Sequence, residues 1–577
     1  MKKLFSLLFF LGHLSVVAQP AAESYPIDSA SIEQANVPKG EVMKFTFQDS
    51  KRFPGTWREY WIYVPAQYRP DKPACVYVNQ DGIQWKAPTV FDNLIHRKEM
   101  PVTIGVFVMP GKVRVVDGDP THDRLNRSFE YDGLGEAYAR FILDEILPEV
   151  EKQKTSDGRS IRLSKSGNDR AIGGSSSGAV CAFTAAWEHP EAFSRVFSAI
   201  GTYVGLRGGD RYATLIRKYE PKPIRVFLQD GTNDLNNFVG DWWKANETID
   251  RALIFAGYEV QHVWGEGGHS GQHGTAIFPQ AMRWLWKDYP KPVTTGQTKN
   301  PFLLDILQPN EGWELVGEGY SFTEGPAANE AGEVVFQDVL NGKTFKVDQT
   351  GKPVSINTDS KKAAGTAYST TGQRYTVSSR TNAVYRYDRS EKETVVVEGL
   401  SGNDITVAKN GNLYITSPDG IDKPSTIYLI RPDGQKVVVD GGEAPTGLKL
   451  ANGLAFTPDQ RQLYVAESAS HWIWAYQVLP DGQLTHKQRY GWLHVPDTAE
   501  NAWPDGLKCD SAGRVYVATR LGIQVLDQTG RVNAIIPTPT GYPSNLCFGG
   551  KNFDTLYVTC GAKVYRRKLK VRGLSPN

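Results

Sequence analysis

Apolar positions along the chain follow two different rhythms. Up to about residue 289, short apolar runs at 60–64, 75–78, 103–108, 196–200 and 224–228 alternate with helical stretches. The clearest of these is 135–152, where Ala139, Ile142, Leu143, Ile146 and Val150 recur at helical spacing. Strand alternating with helix predicts an α/β fold. From 290 to 310 the composition turns to Pro, Thr, Gly, Gln and Asn, a linker signal. Beyond it the helical period vanishes and a Leu-Tyr-Val type of strand repeats. Its copies start at Val334, Arg374, Leu413, Leu463, Val515 and Leu556. Intervals of roughly 40 to 50 residues are those of propeller blades, and a blade that cannot bury both faces alone gains a core by closing a ring. The expected organisation is an N-terminal extension over 19–42, an α/β domain over 43–289, a linker, and a six-bladed β-propeller over 311–570.

Composition narrows the class. A chain of 577 residues is too long for one ordinary core. With 40% hydrophobic and 22% charged residues it reads as globular, and a net charge of +2 gives no pull toward nucleic acid. The basic run 563–572 reads as a last strand and tail. Lys2 and Lys3 precede an apolar run over 4–17, and Val16-Val17-Ala18 supplies small residues for cleavage before Gln19. That pattern predicts a signal peptide over 1–18 and a periplasmic or secreted protein. No later stretch is long and apolar enough to predict a membrane span. The five cysteines, Cys75, Cys181, Cys509, Cys547 and Cys560, form no CxxC pair and read as buried thiols, with a Cys547–Cys560 disulfide as the alternative.

Chemistry first shows at Gly174-Ser175-Ser176-Ser177-Gly178. This G-x-S-x-G stands between an apolar approach and a helix-like run. It predicts the sharp turn that projects a nucleophilic serine in α/β-hydrolases, with Ser176 central. Such enzymes supply the acid and then the base further along the chain. After the strand at 224–228 come Asp230 and Asp234; Asp234 is preferred, since Asp230 can instead brace the turn. After a strand at 259–263 comes Gly267-Gly268-His269, making His269 the preferred base, with His273 the runner-up and His262 a strand residue. The N–H of Ser177 and a second donor near Gln80-Asp81-Gly82 are the expected oxyanion hole.

The segments Arg58-Glu59-Tyr60-Trp61-Ile62-Tyr63-Val64-Pro65, Arg127-Ser128-Phe129-Glu130-Tyr131, Leu147-Pro148, the serine elbow, Gly231-Thr232-Asn233-Asp234 and Gly267-Gly268-His269 resemble the esterase D and enterochelin-esterase group, which includes feruloyl and acetyl-xylan esterases. The resemblance spans nearly the whole first half. It implies a Ser176, Asp234, His269 triad acting on esters of carbohydrates.

In the second half, Glu324, Asn403, Asn452 and Asp505 stand just before repeated strands, at one end of the expected channel. Carboxylate and amide oxygens together suit a divalent cation, Ca²⁺ first, Mg²⁺ or Zn²⁺ otherwise. The motifs Thr323-Glu324-Gly325-Pro326, Gly402-Asn403-Asp404, Ala451-Asn452-Gly453 and Pro504-Asp505-Gly506 resemble the regucalcin and gluconolactonase family. That resemblance implies Glu324, Asn452 and Asp505 as metal ligands, Asp505 also as general base, and Asn403 and Asn545 as substrate contacts. Ser401 stands where animal lactonases carry an Arg. The combined expectation is a bifunctional hydrolase of ester and lactone substrates, small molecules or oligosaccharides. The alternatives are an esterase whose propeller only binds carbohydrate or Ca²⁺, and a pair of binding modules.

Overall fold

The computed structural model describes residues 24–115, 119–441 and 447–576. The expected export signal at 1–18 lies outside them. The first half is built on a ten-stranded sheet. Its centre is six parallel strands in the order Glu259–Gly265, Arg225–Gly231, Arg195–Ala199, Arg170–Ser175, Cys75–Gln80, Thr103–Val108. Most of these read as unbroken apolar runs because helices cover both faces. Thr56–Val64 continues the sheet antiparallel to Thr103–Val108, and Glu41–Phe47, which the sequence reading did not single out as a strand, pairs with it. The expected helix at 135–152 runs over 137–151, with a π-turn at Ile142–Ile146 just ahead of Pro148. Together the parallel sheet, the strand-to-helix turn at Ser176 and the flanking helices make an α/β-hydrolase fold.

The second half is a six-bladed β-propeller of six four-stranded sheets. Every repeated Leu-Tyr-Val motif is the second strand of its blade, counted from the channel. The last blade is composite: Asn545–Gly549, Thr555–Cys560 and Lys563–Lys568 come from the C-terminal end, and Glu314–Glu318 closes the ring as its outer strand. All five cysteines are buried free thiols.

The stretch between the halves is more than a spacer. Pro301–Ile306 is a helix that buries Leu303 and Ile306 among propeller side chains. The side chain of Asn300 caps it, Oδ1 accepting from Phe302 N–H at 2.9 Å, while Nδ2 donates to Arg217 O in the first half and Asn533 O in the second. Elsewhere the halves meet directly. The side chain of Glu220 takes a bidentate pair from Arg567 at 2.7 Å, and its N–H donates to Ile535 O. Tyr219 OH donates to Leu521 O, and one apolar cluster runs from Trp187 and Tyr219 into Val515, Leu526 and Ile535.

Candidate active sites

The Ser176 turn exists because nothing larger than glycine fits around it. A Cβ on Gly174 would lie 2.3 Å from the backbone of Gly178. Ser176 itself is held at φ 59°, ψ −122°, a conformation few side-chain-bearing residues adopt. Two later loops are drawn together above it, since a Cβ on Gly231 would come within 2.1 Å of Gly267 O. That close approach, with Thr232 N–H bonded to Gly265 O, sets the acid loop against the base loop.

The resulting relay is continuous. His269 Nε2 is 2.9 Å from Ser176 Oγ, and His269 Nδ1 is 2.6 Å from Asp234 Oδ1. Leu235 N–H also bonds to Asp234 Oδ1. His273 belongs elsewhere: it stacks on Tyr25 and its Nδ1 meets Gln229. His262 pairs with Asp250 on an outer strand. Asp230, buried behind Asp234, has its pKa pushed up to about 9, by burial first and then by the neighbouring Asp234. Asp234 is held below its ordinary value despite burial, because His269 and Asp230 hydrogen-bond to it.

Ser177 is the first residue of the helix Ser177–Glu188, so its N–H has no partner one turn back. Gln80 is fully buried, with its backbone in the sheet. Asp81, at φ 62°, turns its N–H toward Tyr131 OH at 3.3 Å. The Asp81 carboxylate takes two bonds of 2.8 Å from Arg127, which fixes the loop beside the serine. Two contacts escaped the sequence reading. Thr202 Oγ1 lies 3.1 Å from Ser176 Oγ and accepts from Trp242 Nε1, while the Trp242 ring stands edge-on to His269. Neither carries a motif; they arrive on connections whose shape sequence does not reveal.

In the propeller, Glu324 and Asn452 lie on innermost strands of their blades, and Asn403 and Asp505 just precede such strands. Glu324 Oε2 accepts from Gly325 N–H at 2.7 Å and from Asn545 Nδ2 at 3.0 Å. Asn452 Nδ2 reaches Ser468 Oγ, and its Oδ1 is buried with no partner among the described residues. Burial pushes Glu324 up to about 7. Burial, then the charges of Glu324 and Asp404, raises Asp505 well above the carboxylate range. Asp404, the residue after Asn403, adds a third buried carboxylate to this group, and the Asn403 side chain is half-buried. Lys508 supplies a compensating positive charge to Glu324 and Asp404. Among the described residues, no group of three or more His, Cys, Asp or Glu is spaced to hold a metal on its own. Any cation here would need amide oxygens such as Asn452 Oδ1. Asp505 lines a cavity of about 520 Å³ with Phe322, Trp503, Arg520, Tyr542 and Lys563.

Comparison with known proteins divides the chain at the same place. Residues 51–290 match the family model described as "Putative esterase", and residues 322–562 match that described as "SMP-30/Gluconolactonase/LRE-like region". The propeller half is 28% identical over 225 residues to a gluconolactonase of Zymomonas mobilis, covering 35% of this chain and 62% of that protein. It is 26% identical over 183 residues to a pentonolactonase of Haloferax volcanii, covering 31% of this chain and 60% of that one. The chain thus spans about three fifths of the length of these curated relatives. Over the first half, the enterobactin esterase of Shigella flexneri is 20% identical, covering 46% of this chain and 64% of that one, with a TM-score of 0.35.

Proposed function

We propose that this chain, an esterase domain joined to a gluconolactonase-like propeller, is an exported bifunctional hydrolase cleaving acetyl- or feruloyl-type esters of carbohydrates in its first half and sugar lactones in its second. The observation that carries the reading is the unbroken relay Ser176–His269–Asp234. In the esterase step Ser176 Oγ attacks the ester carbonyl as its proton passes to His269 Nε2. His269 returns that proton to the leaving alcohol, and a water deprotonated by the same nitrogen then releases the acid from Ser176. Asp234 holds the imidazole in one tautomer. The N–H of Ser177, with a second donor from the loop around Gln80-Asp81-Gly82, meets the oxyanion.

For the propeller, the buried Asn452 Oδ1, without a partner among the described residues, and the mutually repelling Glu324 and Asp505 fit a hard divalent cation, Ca²⁺ first, Mg²⁺ or Zn²⁺ otherwise. Glu324, Asn452 and Asp505 would hold it. When bound, such a cation polarises the lactone carbonyl. Asp505 takes the proton of the attacking water, and Asn403 and Asn545 line the approach. Export rests on the charged and apolar pattern of residues 1–18. The two curated relatives are named for lactones, which supports trying sugar lactones first.

Hydrolysis of p-nitrophenyl acetate, methyl ferulate and glucono-δ-lactone, with and without EDTA, tests both halves. Ester cleavage indifferent to EDTA and lost in Ser176→Ala is expected, beside lactone cleavage abolished by EDTA and by Asp505→Ala. Ser401, where animal lactonases carry Arg, favours a second reading, a propeller that only binds sugar or Ca²⁺. Lactone turnover absent under every metal would select it.

A further inference from the structure

The cavity above Asp505 has a charged rim that the proposed chemistry does not use. Arg520 stands there with its guanidinium carbon 5.3 Å from the Trp503 ring and 6.0 Å from the Tyr542 ring. No carboxylate or carbonyl among the described residues pairs with its side chain. Three other buried or half-buried arginines of the propeller each meet a carboxylate: Arg567 pairs with Glu220, Arg514 with Asp510 and Arg374 with Glu391. Lys563, on the same cavity wall, is committed to Glu318 at 2.8 Å. Arg520 is therefore a cation beside two aromatic rings on the cavity wall, with no acidic partner among the described residues.

Its position is fixed from several sides. Arg520 N–H donates to Ala502 O at 3.0 Å, tying it to the segment that carries Trp503 and Asp505. Thr519 Oγ1 closes the turn by donating to Gly522 O at 2.8 Å. Tyr219 of the esterase half donates to Leu521 O, the next residue along. A side chain on so constrained a turn meets a ligand with little further ordering to do.

Charge then decides what it meets. Asp505 and Arg520 line the same cavity, so a ligand seated there spans both. The planar fork of Arg matches a carboxylate with two parallel bonds. We propose that Arg520 reads a carboxylate on the propeller's substrate, making its preferred ligand class a sugar lactone that bears a second, free carboxylate, lactone toward Asp505 and carboxylate toward the rim. This rests on the lactonase reading above.

The test compares two lactones with the same ring, D-glucono-1,4-lactone and D-glucaro-1,4-lactone, which differ in carrying a terminal hydroxymethyl or carboxylate. Wild type is expected to favour the carboxylate substrate in kcat/KM. Arg520→Gln should lower that preference by about tenfold or more, through KM, with Arg520→Lys in between. A wild-type enzyme without the preference, or a Gln variant that keeps it, overturns the assignment. Should wild type hydrolyse neither lactone, the lactonase reading fails by itself, and calorimetric binding of sodium glucarate decides the subsite. Binding weakened about tenfold by Arg520→Gln would sustain the subsite. No binding to wild type, or equal binding to both, would end it.

Discussion

Asp230 and Asp234 are hydrogen-bonding neighbours, and each has a buried carboxylate oxygen, Oδ2, that no N–H among the described residues reaches. Close by, Asn246 spends both amide hydrogens on Gly201 O and Trp242 O, and its Oδ1 is buried in the same condition. Three acceptors crowded together need a proton, and Asp230 is the group whose burial lets it keep one. Asp230 is thus a neutral acid donating to the anionic Asp234, which in turn orients His269. Asn at position 230 supplies a neutral donor of similar shape. Asp230→Asn is expected to keep ester-cleaving kcat/KM within about threefold of wild type, whereas Asp234→Asn loses on the order of 10⁴-fold through the wrong imidazole tautomer. Equal losses in both would refute the assignment.

The same proton leaves a signature in stability. Asp230 binds its proton with a pKa of about 9 in the folded chain, against an ordinary 3.8. A group whose folded pKa is raised contributes fully below the unfolded value and loses that contribution as pH rises through the folded value. Asn has no such dependence. Relative to wild type, Asp230→Asn should gain stability from about pH 4 to about pH 9, by at most about 1.4 kcal/mol per unit. Urea unfolding of both proteins across that range reads the slope, and a flat difference would locate the proton elsewhere.

Strain at Ser176 gives a third expectation. A non-glycine residue at φ 59°, ψ −122° stores about 1–3 kcal/mol, and glycine releases it. Ser176→Gly should therefore unfold at higher temperature than Ser176→Ala, although both lack esterase activity. Equal thermal midpoints would mean that the elbow is unstrained.

Much of this was legible in the sequence, for identifiable reasons. Six Leu-Tyr-Val strands marked the blades because each is a buried second strand facing neighbours on both sides. The serine elbow and the acid loop were legible because Gly174 and Gly231 are required by close backbone approach, and spacing reports that directly. What escaped depends on contacts between distant segments. Thr202 reaches Ser176 from a connection without a motif. Asp404 escaped as well, because its charge bears on Asp505 only once the blades are closed. The stretch 290–310 read as a linker by composition, yet Asn300 and the helix after it are packed.

The contact between halves should be energetic as well as geometric. Arg567 is buried, and it meets Glu220 through two 2.7 Å bonds and also donates to Glu311 O. Removing one partner of a buried ion pair costs about 3–5 kcal/mol, and the partial exposure of Glu220 places this one toward the lower end. Glu220→Ala is expected to divide one calorimetric unfolding transition into two, the esterase half and the propeller melting separately. A single transition shifted as a whole would mean that Tyr219 and the shared apolar cluster suffice to couple them.

Asn300 places a limit on how such a chain can be rearranged. One amide holds a carbonyl from each half while its oxygen starts the helix between them, so the joint is a keystone with no neutral place to cut. Domain boundaries ordinarily fall in exposed, flexible linkers that few contacts cross. Here an exchange of either half for a foreign counterpart would leave Asn300 without the carbonyl of Arg217 or of Asn533, so the two halves are matched at their joint.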